Sequence, residues 1–297
     1  MREAHYRGRM IHVLTVHWQD DRWVDIQLKY LHRHIRQPFK VYAFLNDVPQ
    51  LHRTKYFYSS TEPIEDHAVK LNILADIAAF DASGSEDLLM FLDGDAFPIG
   101  DIISFGREKL DHYPLMAVQR RENGGDIQPH PCFCLTTVGF WKTIKGDWKA
   151  GYRWKNAQGN DVTDVGGNLL GILMEKGIEW YPMLRSNRRD LHPLLFGLYE
   201  DLVYHHGAAF RKPSTTIDRV RITEARAGRY RLKNWLPSAG LFSRLKAMFI
   251  PMRKIVDRNK NLSQQIYEMI KEDPFFYRHF QQSGDFATDT SSIDSFE

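Results

Sequence analysis

The sequence predicts an α/β fold: a doubly wound, mostly parallel sheet of Rossmann-like type with a basic helical extension toward the C-terminus. Two observations carry the sheet. Apolar runs of strand length alternate with segments of helical period up to residue 93, in the order strand, helix, strand, helix, strand. The last of these strands, Leu88-Leu89-Met90-Phe91-Leu92, is apolar at five successive positions, as strands covered on both faces are. The extension rests on a third. Residues 226–260 hold ten Lys or Arg against one acid, a net +9, while the whole chain of 297 residues carries only +3.

Met10–Val16 reads as the first strand. Trp23–Ile35 reads as a helix stopped near Pro38, and Lys40–Leu45 as a second strand ending at Asn46-Asp47. From Ile64 to Phe80 apolar residues recur at helical spacing, with start signals at Thr61-Glu62-Pro63 and a stop at Gly84. The acidic strand follows and ends at Asp93. Leu115–Gln119 and Phe133–Val138 read as strands, Leu169–Lys176 as a helix closed by Gly177, and Glu179–Leu184 and Leu202–His206 as further strands. The expected division is a catalytic domain over 1–225, a basic amphipathic extension over 226–282, and a Ser-, Asp- and Thr-rich tail over 283–297 expected to be disordered.

A hydrophobic share of 43% is ample for a large core. Cys132 and Cys134 alternate with Phe133, so they are expected on one strand face as buried free thiols of a reducing compartment. Two cysteines do not make a zinc site. The first residues lack the apolar stretch of a signal peptide, and no apolar stretch is long enough to span a membrane. The expectation is a cytoplasmic protein, peripheral on the inner face of a membrane if the basic segment docks there.

Asp93-Gly94-Asp95 sits where ligands gather in open α/β sheets, beyond the carboxyl end of a strand. Hard cations such as Mg²⁺ or Mn²⁺ take carboxylate oxygens and share them with substrate phosphates, and Gly94 leaves the backbone open to close approach. The competing reading is a solvated turn, since Asp and Gly favour turns. Tyr204-His205-His206-Gly207 carries two imidazoles to a strand end, followed by Arg211 and Lys212, which could hold a diphosphate. Successive strand residues face opposite sides, so one histidine is expected to bind metal, and His206 is favoured because it adjoins the glycine turn. Asp164, before Val165-Gly166-Gly167, is a candidate proton acceptor or a helix cap. Lys70 could reach a phosphate or pair with Asp66 one turn away. Thr15 and His17, at the end of the first strand, sit where a nucleotide base would lie or else pack. The basic segment 226–260 suits an anionic membrane surface or a helix packed on the domain. No nucleic-acid motif accompanies it.

These residues, in this order, resemble the GT-A glycosyltransferases that use nucleotide-sugar donors. The resemblance runs from about Met10 to Pro213, through Thr15-Val16-His17, His67-Ala68-Val69-Lys70-Leu71-Asn72, Asp93-Gly94-Asp95, Asp164-Val165-Gly166-Gly167 and His205-His206-Gly207 with Arg211. It implies Mn²⁺ or Mg²⁺ held by Asp93, Asp95 and His206, diphosphate contact from Arg211, and a base role for Asp164. It also implies a UDP-, GDP- or dTDP-sugar donor and a saccharide acceptor. If the basic segment docks on a membrane, the expected acceptor is a lipid-linked saccharide of a cell-surface polysaccharide. Two rivals are a haloacid-dehalogenase-like phosphatase or phosphotransferase, whose Asp-x-Asp lies on its first strand, and a non-catalytic membrane adaptor using the basic tail.

Overall fold

Burial of apolar runs builds the expected alternation. The computed structural model describes residues 9–157, 159–192, 194–207 and 252–282. In chain order, β1 (Ile11–Trp18), α1 (Val24–His34) and β2 (Phe39–Asn46) come first, then a short 3-10 helix (Gln50–Lys55) and β3 (Tyr58–Ser60). α2 (His67–Asp81) leads into β4 (Leu88–Asp93). β5 (Ala96–Pro98), α3 (Ile102–Leu110), β6 (Leu115–Val118), β7 (His130–Thr137) and α4 (Val138–Ile144) follow. Next come the hairpin β8 (Trp154–Lys155) and β9 (Asp161–Val162), α5 (Gly167–Glu175), β10 (Tyr181–Met183), β11 (Leu195–Tyr199) and β12 (Val203–Gly207). α6 (Met252–Glu272) and α7 (Arg278–Gln281) close the described chain.

Seven strands form the main sheet in the order β10-β6-β7-β4-β1-β2-β3. β1 is parallel to both β2 and β4, and β2 is parallel to β3. β7 alone runs antiparallel to its neighbours β4 and β6. The chain winds outward from β1 to β3, then returns to place β4 on the other side of β1. The carboxyl ends of β1 and β4 therefore flank the point where the winding reverses, the usual ligand crevice of open α/β sheets.

Both faces of the sheet are covered. Val24 and Leu31 of α1 and Ile102 and Ile103 of α3 pack on one side. Leu71 and Leu74 of α2, Trp141 of α4 and Leu169 and Leu173 of α5 pack on the other. α2 starts one turn later than its sequence signals suggest. Asp66 is the cap, its carboxylate accepting the backbone N–H groups of Ala68 at 2.8 Å and Val69 at 3.1 Å.

A second sheet, β11-β12-β5, lies at the carboxyl edge of the first. A third apolar cluster backs it, combining Ile26 and Tyr30 of α1 and its capping Trp23 with Phe97, Phe196 and Tyr204, and with Ile266, Ile270 and Phe280 of the C-terminal helices and Phe276 between them. The described part of the expected basic extension is thus a helix docked on the body. The rest of 226–260, like the tail 283–297, lies outside the described residues. Among the described residues, no helix is long and apolar enough to cross a membrane.

Cys132 and Cys134 are free and buried, but on opposite faces. The β6–β7 register breaks between Ala117, paired with Cys134, and Val118, paired with His130. That bulge adds residues on β7 and turns Cys132 to the face that strand alternation would deny it.

Candidate functional site

Leu88 to Leu92 are buried, so β4 delivers its acids from a rigid base. Asp93 sits level with Val16 of β1, at the last parallel pair before the crevice. Three strands precede the acids in the chain, which separates this arrangement from an Asp-x-Asp on a first strand. Gly94 is required for a reason other than ligand access. A Cβ there would lie 2.6 Å from the Val16 carbonyl oxygen and 2.8 Å from His17 Nδ1, so the turn rests directly on the end of β1.

After Asp95 the chain crosses into the second sheet, and β12 pairs antiparallel with β5, setting His205 opposite Ala96. The His206 N–H donates to the Asp95 carbonyl at 3.1 Å, which locks the register. His205 Nε2 then lies 3.4 Å from Asp93 Oδ2 and 3.3 Å from Asp95 Oδ1. One ligand atom from each of Asp93, Asp95 and His205 falls within 4.8 Å of the others. Two carboxylate oxygens and one imidazole nitrogen form a donor set suited to Mn²⁺ or Mg²⁺, so these residues fit a divalent ion.

The expectation for His206 is corrected here. Strand alternation sends its ring away from the acids into the third cluster. The ring lies 4.5 Å from Trp23 and 5.1 Å from Phe196, and its Nδ1 is 2.8 Å from the Tyr204 hydroxyl. Burial pushes His206 down to about 3. Adjacency to a glycine turn does not decide which face a side chain takes; β-pairing does.

A shell of polar groups surrounds the acids. His67, the first residue of α2, places Nε2 3.1 Å from Asp93 Oδ1. Burial alone would raise Asp93. The hydrogen bond from His67 and the charges of His67, His205 and His130 outweigh it and hold the carboxyl well below the usual range. Burial also opposes charge on His205, but the Cys132 sulfur and the Asp95 carboxylate reverse this and raise it well above the ordinary imidazole value. The His130 ring centre lies 6.2 Å from that of His205, and the Arg120 guanidinium donates to His130 Nε2 at 3.0 Å. Burial first, and Arg120 second, push His130 well down.

The remaining sequence candidates are spread out. Thr15 and His17 are buried, so neither offers a surface to a base. His17 lies beneath the Asp93-Gly94-Asp95 turn, and burial pushes it down to about 4. Lys70 places Nζ 3.9 Å from the ring centre of Trp18, and burial brings it down to about 8 against the pull of Asp66 and Asp47. Asp164 is exposed, and its Oδ1 accepts the Val165 N–H at 2.8 Å just before α5. Arg211 lies outside the described residues.

No local sequence pattern marks His130, Arg120 or Gln27 as belonging to the site, and none gives His67 a role there. His130 opens a strand antiparallel to β4, so its start meets the end of the acidic strand. Only the sheet order, which the sequence does not print, reveals this.

No family model matches the chain, and no curated protein matches it. Among solved structures it is similar to the apo glycosyltransferase GlyE of Streptococcus pneumoniae TIGR4, at 18% identity over 46% of this chain and 36% of that one, TM-score 0.34. It is also similar to the mannosyltransferase PcManGT of Pyrobaculum calidifontis in complex with GDP-Man and Mn²⁺, at 10% identity over 93% and 88%, TM-score 0.43. A third is TarS 1–349 of S. aureus in complex with UDP-GlcNAc, at 11% identity over 92% and 91%, TM-score 0.36. The chain thus spans well under two thirds of GlyE.

Proposed function

We propose that this chain is a metal-dependent glycosyltransferase that moves a sugar from a nucleoside-diphosphate donor to a saccharide or lipid-linked acceptor. The observation that carries the proposal is the convergence of Asp93, Asp95 and His205, with ligand atoms within 4.8 Å, beside the winding reversal of the main sheet. Asp93 and Asp95 would hold Mn²⁺ or Mg²⁺ with His205 in place of His206. A divalent ion bound there would neutralise the donor diphosphate and the charge that builds on it as the bond to the sugar breaks.

The other roles belong to the chain's own groups. His67 fixes one oxygen of Asp93 and leaves the other toward His205. Asp164, exposed ahead of α5, is the proposed acceptor of the proton from the attacking hydroxyl. Arg211 is the proposed cation beside the departing diphosphate. Residues 226–260, at net +9, supply the charge that an anionic surface bearing a lipid-linked acceptor would meet.

The test is a thermal-denaturation series of the full chain with UDP, GDP and dTDP, with and without Mn²⁺. A nucleotide at a hundred times its dissociation constant stabilises the folded state by about 2.7 kcal/mol. At least one nucleotide is expected to raise the melting temperature in the presence of Mn²⁺, and Asp95→Ala is expected to remove the increase. Absence of any shift across all three overturns the reading.

A further inference from the structure

The turn that carries the two acids is held from outside itself. β4 ends at Asp93 and β5 begins at Ala96, so the chain leaves one sheet for another within a few residues. Carbonyls at such a crossing lose the ladder partners that buried backbone groups require. Gln27 of α1, fully buried, supplies both: Nε2 donates to the Asp93 carbonyl at 2.8 Å and to the Ala96 carbonyl at 2.8 Å. Its neighbours on the buried side of α1 are Val24, Ile26, Tyr30 and Leu31, a setting in which an amide is costly unless its hydrogens are used. At Gly94 the turn rests on the Val16 carbonyl and the His17 ring. The helix thus grips the turn at both ends while β1 supports its middle.

We infer that Gln27 is a positioning residue for the metal site: by spanning Asp93 and Ala96 it sets the distance and tilt between the two carboxylates. The inference rests on the metal-dependent reading above and adds to it a residue that touches neither ion nor substrate. An isosteric Gln27→Met removes both N–H groups and keeps the length and burial of the side chain.

The test measures Mn²⁺ affinity directly, from the electron paramagnetic resonance signal of free Mn²⁺, on the full chain and its Gln27→Met and Asp95→Ala variants. The metal-free melting transition is recorded alongside. Gln27→Met is expected to melt cooperatively without metal and to bind Mn²⁺ about ten- to a hundredfold more weakly, as loss of outer-shell support does. Wild-type affinity in a folded Gln27→Met overturns the inference and leaves the functional reading standing. Wild-type protein that binds no Mn²⁺ sensitive to Asp95→Ala overturns the functional reading itself. Should Gln27→Met not fold, the wild-type side-chain amide of Gln27 gives the answer by nuclear magnetic resonance. Slowly exchanging protons that shift on Mg²⁺ titration support the inference, and protons that do not shift overturn it.

Discussion

His205 and His206 are neighbours in the chain with opposite surroundings: one meets two carboxylates, the other is packed between Trp23 and Phe196. Their alanine variants should separate cleanly. His205→Ala is expected to abolish Mn²⁺-dependent stabilisation in the thermal series. His206→Ala is expected to keep it and to lower unfolding free energy in urea by about 3 kcal/mol, as for other large buried rings. His67→Ala should weaken Mn²⁺ binding about tenfold, because Asp93 loses the donor that orients it. The two acids were legible as residues, since their type and place after an apolar run announce them. The third ligand was legible only as one of a pair. Choosing within that pair depends on β12–β5 register, which no local pattern encodes.

Most of the longer elements were readable because their periodicity extends over many residues, though α3 and β11 carry no such signal. β1, β2, β4, α1 and α2 lie within a few residues of where the apolar patterns put them. β3, β5, β8 and β9 have three residues or fewer, too short for any alternation to show, and α4 follows β7 without a break. The bulge in β7 also defeated strict alternation, and with it the prediction for the cysteines. Past the basic segment 226–260, α6 and α7 place Ile266, Ile270 and Phe280 against the sheet that carries His205. Truncating Phe280 to alanine should cost about 3–5 kcal/mol in urea unfolding. Gly94→Ala belongs to this scale too, since the added methyl drives the turn off the end of β1. It is expected to remove the Mn²⁺-dependent thermal shift while the main sheet still folds, as judged by far-ultraviolet circular dichroism.

Across the whole molecule, buried imidazoles make folding sensitive to acid. His17 is pushed down to about 4 and His206 to about 3, and His12, buried beside Tyr42 and Asp87, is also lowered, in each case by burial first. The unfolded chain takes up these protons near pH 6.5, so their contribution to stability is complete above that value and drains away as pH falls toward the folded values. At about pH 5 each of His17 and His206 should cost about 2 kcal/mol relative to neutral pH. His205 acts in the opposite sense: its raised value stabilises the fold at low pH and ceases to do so as pH rises through that value. The expected net result is a lower urea midpoint at about pH 5 than at about pH 7.5, with a smaller difference in His17→Gln. A flat profile would mean that these rings are solvated.

Asp93 closes a strand of the seven-stranded sheet and Asp95 sits in the turn after it, while His205 belongs to the three-stranded sheet, more than a hundred positions onward. An ion gripped by all three would act as a removable rivet between distant stretches of the polypeptide. Occupancy would then be felt along the whole intervening span, α3 through β11 included, well beyond the crevice. Limited digestion should register this as slower cutting throughout that span once Mn²⁺ is added, and chelation should restore the original rate.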